Sequence, residues 1–270
     1  MRRTFLNHYR IQIAWLLTAL LVLITLTAGA STHPEPQEPL LKSAYSEAEF
    51  LRYDISWLGA IKAGKLIMRI EPLSAEEERY RIQVTAKSAG LLKFFYPVED
   101  RFEIIVEGEE RLPVRMTMLQ DEGRRQGTRL TVYNQQDREV VYTKNDRPPV
   151  TFPVSGPVHN EFSSFLILRA LPLTVGETLV VPTFADKKRH EVPVLVKKEE
   201  PCESLWGEVP TIKVEPQLSF QGLYEKMGNP DIWLTADQHR IPVRIKAEIK
   251  IGSLTAELKE YRREVKLASR

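Results

Sequence analysis

The sequence predicts a mostly all-β protein: one large curved antiparallel meander, shaped as a barrel or half-barrel around one short helix and preceded by an apolar N-terminal leader helix. Three observations carry that prediction. First, from Ile241 every second residue is apolar (Ile241, Val243, Ile245, Ala247, Ile249, Ile251), with Arg244, Lys246, Glu248 and Lys250 between them. Side chains on an extended strand alternate between faces, so this period of two describes a strand with one face on a core. Gly252-Ser253 interrupts it, and Leu254, Ala256 and Leu258 restart it, the pattern of a hairpin. Second, the same alternation returns along the chain in about twelve segments, and one-sided burial of this kind belongs to antiparallel sheets. Third, one stretch beyond the leader has helical spacing. Twelve or so strands with a single apolar face cannot stay flat, so the sheet must close, fold into two layers or curl around that helix.

The chain has 270 residues, 43% of them hydrophobic, enough for a substantial core in one domain. Residues 1–30 read as a leader, 31–48 as a Pro-rich linker and 49–265 as a single antiparallel β domain. Met1–Arg10 is basic, Ile11–Thr27 is an apolar run, and Ala28-Gly29-Ala30 is an A-x-A cleavage signature. That is the anatomy of a secretory signal peptide, with an uncleaved anchor across 11–27 as the alternative and the only expected membrane contact. Arg2-Arg3-Thr4-Phe5-Leu6 also fits a twin-arginine export signal. Each reading places the rest of the chain in the periplasm or cell envelope. Setting aside the leader's three arginines leaves 35 basic against 36 acidic residues, so no basic field for nucleic acid is expected. The single cysteine, Cys202, excludes an intramolecular disulfide and a multi-cysteine zinc site.

In order, Leu51–Trp57, Leu66–Ile70 and Tyr80–Ala86 are alternating segments spaced as a meander. Gly90–Pro97, GLLKFFYP, breaks the pattern and reads as a short helix or loop over the end of the sheet, either capping the core or gating a cavity. Asp100–Glu107, Leu112–Leu119, Thr128–Asn134 and Val140–Thr143 are strand-like. Asn160 can cap a helix through Phe162, Phe165, Leu166 and Arg169 that Pro172 ends. Leu179–Phe184, Val192–Lys197 and Thr211–Phe220 resume the strands, with a weakly patterned insert at Lys197–Pro210.

Several of these residues together resemble a family of exported bacterial proteins catalogued as domain of unknown function 3108. The marks begin with Tyr53-Asp54-Ile55-Ser56-Trp57-Leu58-Gly59 and Lys62-Ala63-Gly64. They continue through Phe95-Tyr96, Asp100-Arg101-Phe102-Glu103 and Leu168-Arg169-Ala170-Leu171-Pro172-Leu173. Lys213-Val214-Glu215-Pro216, Ile232-Trp233-Leu234-Thr235, Asp237 and Arg240-Ile241-Pro242-Val243-Arg244 complete the series. The resemblance covers about Phe50 to Tyr261 and implies an exported, mostly antiparallel β domain without transferring a catalytic residue. Asn160 stands where that pattern leads us to expect aspartate, which keeps the capping role and removes a carboxylate.

No reactive centre is legible. His159-Asn160-Glu161 with Pro201-Cys202 has the outline of a zinc deaminase, but the second cysteine would fall on Leu205, so the metal site cannot be built. No cofactor or metal is expected. There is no G-x-S-x-G elbow, and Ser163 and Ser164 read as polar helix-surface positions near His159. The carboxylates beside Cys202 should raise its thiol pKa and make it a poor nucleophile. The charged residues to watch are Asp100, Arg101, Glu103, Asp237 and Arg240, which also fit an outer-face ion-pair ladder. Trp57, Phe94, Phe95, Tyr96 and Trp233, with Trp206 and Tyr224, lie near strand ends or irregular segments and are the candidates to line a concavity, core packing being the alternative. The expected function is non-enzymatic binding of an apolar or amphiphilic envelope component, such as a lipid. The alternatives are an interaction module holding another envelope protein, and an enzyme on envelope polysaccharide that would need paired carboxylates in a cleft.

Overall fold

A computed structural model describes residues 34–264 except 46, 75–77, 96, 123–124, 219–227 and 250. The leader and its expected helix lie outside these residues. The first half holds β1 (Ala48–Trp57), β2 (Ile61–Ser74), β3 (Arg79–Ser88), β4 (Glu99–Glu107), β5 (Leu112–Glu122), β6 (Arg125–Asn134), β7 (Glu139–Lys144) and β8 (Val150–Pro153). The second holds β9 (Thr178–Ala185), β10 (Lys188–Ser204), β11 (Gly207–Pro216), β12 (Asp231–Thr235), β13 (Pro242–Glu248) and β14 (Ser253–Glu264). Three short helices, α1 (Glu38–Tyr45), α2 (Gly90–Phe95) and α3 (Glu161–Ile167), and a 3-10 turn at Leu168–Ala170 complete the described elements.

All fourteen strands form one antiparallel sheet in the order β8-β7-β6-β5-β4-β3-β2-β1-β14-β13-β12-β11-β10-β9. The meander therefore runs in two arcs joined where β1 pairs with β14. The sheet is curved but not closed by strand pairing: β8 and β9 are its two edges. Residues 154–160 bridge them. Val154 donates its amide to the Arg138 carbonyl beside β7, and His159 donates to Pro182 and accepts from Phe184 on β9. Tyr133, Val140, Val154, Val158 and Phe184 pack into a small second core along this seam. An edge that would otherwise expose unpaired backbone is thus covered by chain, which blocks edge-to-edge pairing with another molecule.

From the seam the chain turns inward as α3. Asn160 Oδ1 accepts from the amides of Phe162 and Ser163 at 3.0 and 2.8 Å, and Ser163 Oγ accepts from the Asn160 amide at 3.0 Å. This reciprocal cap satisfies donors that would be orphaned inside the barrel. Leu166, Ile167 and Leu168 then join Leu51, Tyr53, Met68, Ile70, Ile82 and Ile104 in the main core. Ser163 is fully buried and serves the cap, so it is not the surface position its spacing suggested.

Alternation forces successive connections to opposite ends of the sheet. The β1–β2, β3–β4, β9–β10, β11–β12 and β13–β14 connections lie at one end, here termed the mouth; both termini of the sheet and the β12–β13 turn lie at the other, the base. Three expectations are revised. The linker of 31–48 contains α1, because Leu41, Ala44 and Tyr45 bury against the core. Tyr45 stacks edge-on with Tyr80 at 5.2 Å, with the Arg111 guanidinium over both rings. The insert at Lys197–Pro210 is the extension of the β10–β11 hairpin, paired from Lys198 to Ser204. Ile251, expected on the apolar face, sits 70% exposed in the β13–β14 turn.

Candidate binding site

Two regions inside the sheet gather polar chemistry. At the base, Arg169 on the 3-10 turn and Glu49 on β1 form a bidentate pair at 2.6 and 2.9 Å, both almost fully buried. Tyr261 donates to Glu49 at 2.8 Å, and Arg169 also donates to the His239 carbonyl at 2.9 and 3.2 Å. Burial works against the Arg169 charge, but the Glu49 carboxylate outweighs it and holds the guanidinium pKa above its ordinary value. Around this pair Ser43 and Arg263 both meet His239 Nδ1 at 2.7 Å, which ties α1 to β14 and the β12–β13 turn. Every group here is engaged, and the cluster reads as a lock on the base.

At the mouth the arrangement differs. The register places Ile55, Leu66, Ala86, Phe102, Met118, Ile245 and Ala256 on the same face, the one that curves around α3. Phe102 and Met118 are buried, whereas Ile55, Leu66, Ala86, Ile245, Ala256 and the helix residues Phe162 and Phe165 are only half-buried. The helix fills the lower part of the concavity and leaves this upper part partly unfilled. On one side of α3 a mostly apolar cavity of about 100 Å³ runs between Phe165 and Leu168 and the strand residues Val192, Val194, Ile232 and Ile245. On the other side a cavity of about 180 Å³ is lined by Phe102, Met118, Arg129, Tyr133, Tyr142 and Lys187. Glu161, in the first turn of α3, lines both.

Burial pushes the Glu161 carboxyl pKa up, with the Arg129 charge opposing it. Arg129 donates to Gln120 at 2.9 Å, while its Nε is buried without a hydrogen-bond partner. Tyr133 is driven well up by burial and stays a neutral phenol. The site can therefore offer a donor and a reluctant carboxyl to the polar end of a guest whose apolar end lies against Phe165. His159, at the seam, is buried with Nδ1 3.2 Å from Ser163 Oγ, and burial lowers its pKa to about 4. Among the described residues no group of His, Cys, Asp and Glu side chains could hold a metal ion.

The structure separates the residues singled out from the sequence. Trp57 is half-buried at the mouth, its Nε1 donating to the Ile251 carbonyl at 2.8 Å. Phe94 is on α2 at the same end, 84% exposed; the Phe95 side chain and Tyr96 lie outside the described residues. Trp233 does not line the concavity. It pairs with Lys213 and Arg244 on the outer face, where its Nε1 donates to Glu200 and the Lys213 ammonium lies 4.4 Å from its ring. Its neighbours Ile232 and Leu234 are the ones that face inward.

The charged candidates are scattered. Asp100 is on the inner face near the mouth, accepting from the Asp121 amide at 2.9 Å, with its pKa raised by burial. Arg101 and Glu103 alternate with it onto the outer face, Arg101 pairing with Glu99. Asp237 is at the base, where burial of its charge is outweighed by bonds from Thr235 and the His239 and Arg240 amides. Arg240, at φ +43°, reaches the Leu171 carbonyl. No pair of these carboxylates converges in one cleft. Cys202 is buried, and burial first, then Glu200 and Glu257, raises its thiol pKa. Sequence reasoning missed Glu49 and Arg129 as site residues; Glu161 was legible only in the rejected zinc outline, and Arg169 only as a position on the helix and in the family resemblance.

Fold and site together define a β-barrel-like domain wrapped around an internal helix, with a locked base and a partly unfilled mouth. Residues 52–259 match the family described as protein of unknown function (DUF3108), and the chain belongs to that family. No curated protein matches the sequence. Among solved structures, a β-barrel-like protein of domain of unknown function DUF1849 from Brucella abortus shares the fold. It has a TM-score of 0.53 at 9% identity, over 81% of this chain and 98% of that one. A hypothetical protein from Chlamydia trachomatis aligns at a TM-score of 0.38 and 9% identity, over 87% of this chain and 96% of that one.

Proposed function

We propose that this protein is an exported envelope component that binds an amphiphile, without chemically altering it, in the upper part of the sheet's concavity. The observation that carries the reading is the pair of cavities on either side of α3, apolar on the Phe165 side and mostly apolar with the charged groups Arg129, Asp186 and Lys187 on the other, each lined by Glu161. An acyl or similar chain would lie against Phe165, Val194, Ile232 and Ile245, each buried methylene contributing about 0.8 kcal/mol before association costs. Its polar end would meet the Arg129 guanidinium and the Glu161 carboxyl. Mostly apolar pockets with a few convergent polar groups are where small ligands bind, and at about 100 and 180 Å³ these two would have to widen to admit a full acyl chain.

Native mass spectrometry of the protein purified from the envelope tests this. The expected result is a bound mass that organic extraction removes and that an added lipid extract restores together with a higher Tm. An empty protein whose Tm no lipid raises would end the reading. One dominant protein crosslink in intact cells, with the cavity empty, would instead favour the interaction module.

A further inference from the structure

The mouth carries a second feature that the cavities do not require. Three places there present large apolar side chains outward: Leu58 (56% exposed) on the β1–β2 turn with Ile61 (45%) at the start of β2, Phe94 (84%) on α2, and Ile251 (70%) on the β13–β14 turn. They form a continuous rim. The Leu58 amide donates to the Ser253 carbonyl, and Trp57 Nε1 donates to that of Ile251. A Cβ on Gly252 (φ +81°) would fall 2.3 Å from Leu58 Cδ2, so the two turns are in direct contact. On the other side Gly90, at the start of α2, lies against Lys62, where a Cβ would fall 2.7 Å from its carbonyl oxygen.

Six other large apolar residues among those described, Leu73, Leu119, Val150, Val175, Leu205 and Trp206, are exposed at strand and turn positions outside these three places. Leu58 adopts φ +53°, a conformation that favours glycine and disfavours a leucine, yet the sequence places a large apolar residue there beside Gly59. The charge pattern matches. Segments 58–62, 90–97 and 249–253 contain Lys62, Lys93 and Lys250 and no acidic residue. Lys62 and Lys93 are exposed and form no ion pair with the described residues.

Apolar side chains that project from turns with lysines among them are suited to the interface of a bilayer, where the ring or branched chain enters the acyl boundary and the ammonium stays with the headgroups. Each lysine adds attraction to an anionic surface. We infer that the mouth docks on an anionic lipid bilayer through Leu58, Ile61, Phe94 and Ile251, with Lys62 and Lys93 on the headgroups. The partner is the membrane surface itself, and docking would set the concavity facing the lipid. This goes beyond amphiphile binding and does not depend on it, since the rim and the cavities share no residue.

The test uses the full chain, with an environment-sensitive fluorophore on Ala60→Cys at the rim and, separately, on Glu109→Cys at the base; buried Cys202 is left unlabelled. With phosphatidylethanolamine–phosphatidylglycerol vesicles the rim label should shift blue, gain intensity several-fold and be quenched by brominated acyl chains. The base label should not respond. Phosphatidylcholine vesicles should give a much smaller response. Ile61→Ser with Ile251→Ser, and separately Lys62→Glu with Lys93→Glu, should each weaken the rim response at least several-fold at unchanged Tm. The charge-reversal pair keeps the test decisive if the serine pair folds poorly. No response at the rim, an equal response at both labels, or a rim response indifferent to both sets of substitutions would overturn the inference. Retained amphiphile binding in these variants would show that the cavity reading stands independently.

Discussion

Arg169 is the residue on which the base depends. Its guanidinium and the Glu49 carboxylate are buried together, and removing one partner leaves the other charge desolvated. Breaking such a pair typically costs about 3–5 kcal/mol, whereas replacing both by apolar groups is often close to neutral. Glu49→Gln and Arg169→Met should therefore each destabilise by about that amount in urea denaturation, and Glu49→Leu with Arg169→Met should recover much of the loss. Additive losses in the double variant would contradict the coupling. His159 gives a second prediction. With a folded pKa near 4 and an unfolded one near 6.5, the unfolded chain takes up the proton first as pH falls. Its contribution is therefore full above about pH 6.5 and is lost progressively down to about pH 4, by up to about 3 kcal/mol. Asp100 and Glu161 have raised folded values, so the folded state binds protons first and they act in the opposite sense in acid. The comparison of wild type with His159→Gln isolates the histidine: the stability lost between pH 7 and pH 4 should be smaller in the variant. Equal losses would place the imidazole in contact with water.

The helix α3 is short, and its position depends on its first turn. Asn160 is completely buried and accepts two amide hydrogen bonds, so Asn160→Ala should cost about 1–2 kcal/mol through the lost cap. The same change should loosen the Glu161 side of both cavities and raise the Kd for any guest. How much of each element could be read from the sequence follows from its length and its facing. Long one-sided strands such as β1, β3 and β14 announce themselves by alternation, and Asn160 announces the helix. The four-residue β8 and five-residue β12 are too short to show a period. In α1 the burial of Tyr45 is decided by Tyr80 and Arg111, distant in sequence. Trp233 faces outward because register, not composition, assigns parity: Ile232 and Leu234 take the inner face, and one residue's shift reverses every side chain. The Glu49–Arg169 pair joins positions 120 residues apart, and nothing local to either marks it.

The interior combines the Glu49–Arg169 lock at the base with cavities that α3 leaves unfilled, two at the mouth and one of about 330 Å³ along the seam between Leu112, His159, Ile167 and Val181. The β1–β14 pairing and the 154–160 bridge hold the two arcs around the helix, so connections from both arcs frame the mouth. A fold whose only requirement was stability would pack Phe162, Phe165, Ile245 and Ala256 as tightly as Leu51 and Ile82. Their partial exposure is the feature the functional account rests on. The most direct measurement is the dissociation constant of a dodecyl-chain amphiphile for the wild type and for Ile245→Trp, which places an indole in the apolar cavity from a half-buried position. Saturable binding to the wild type, weakened at least tenfold in the variant at similar Tm, is the predicted result. No binding to the wild type, or equal binding by the two proteins, would contradict it.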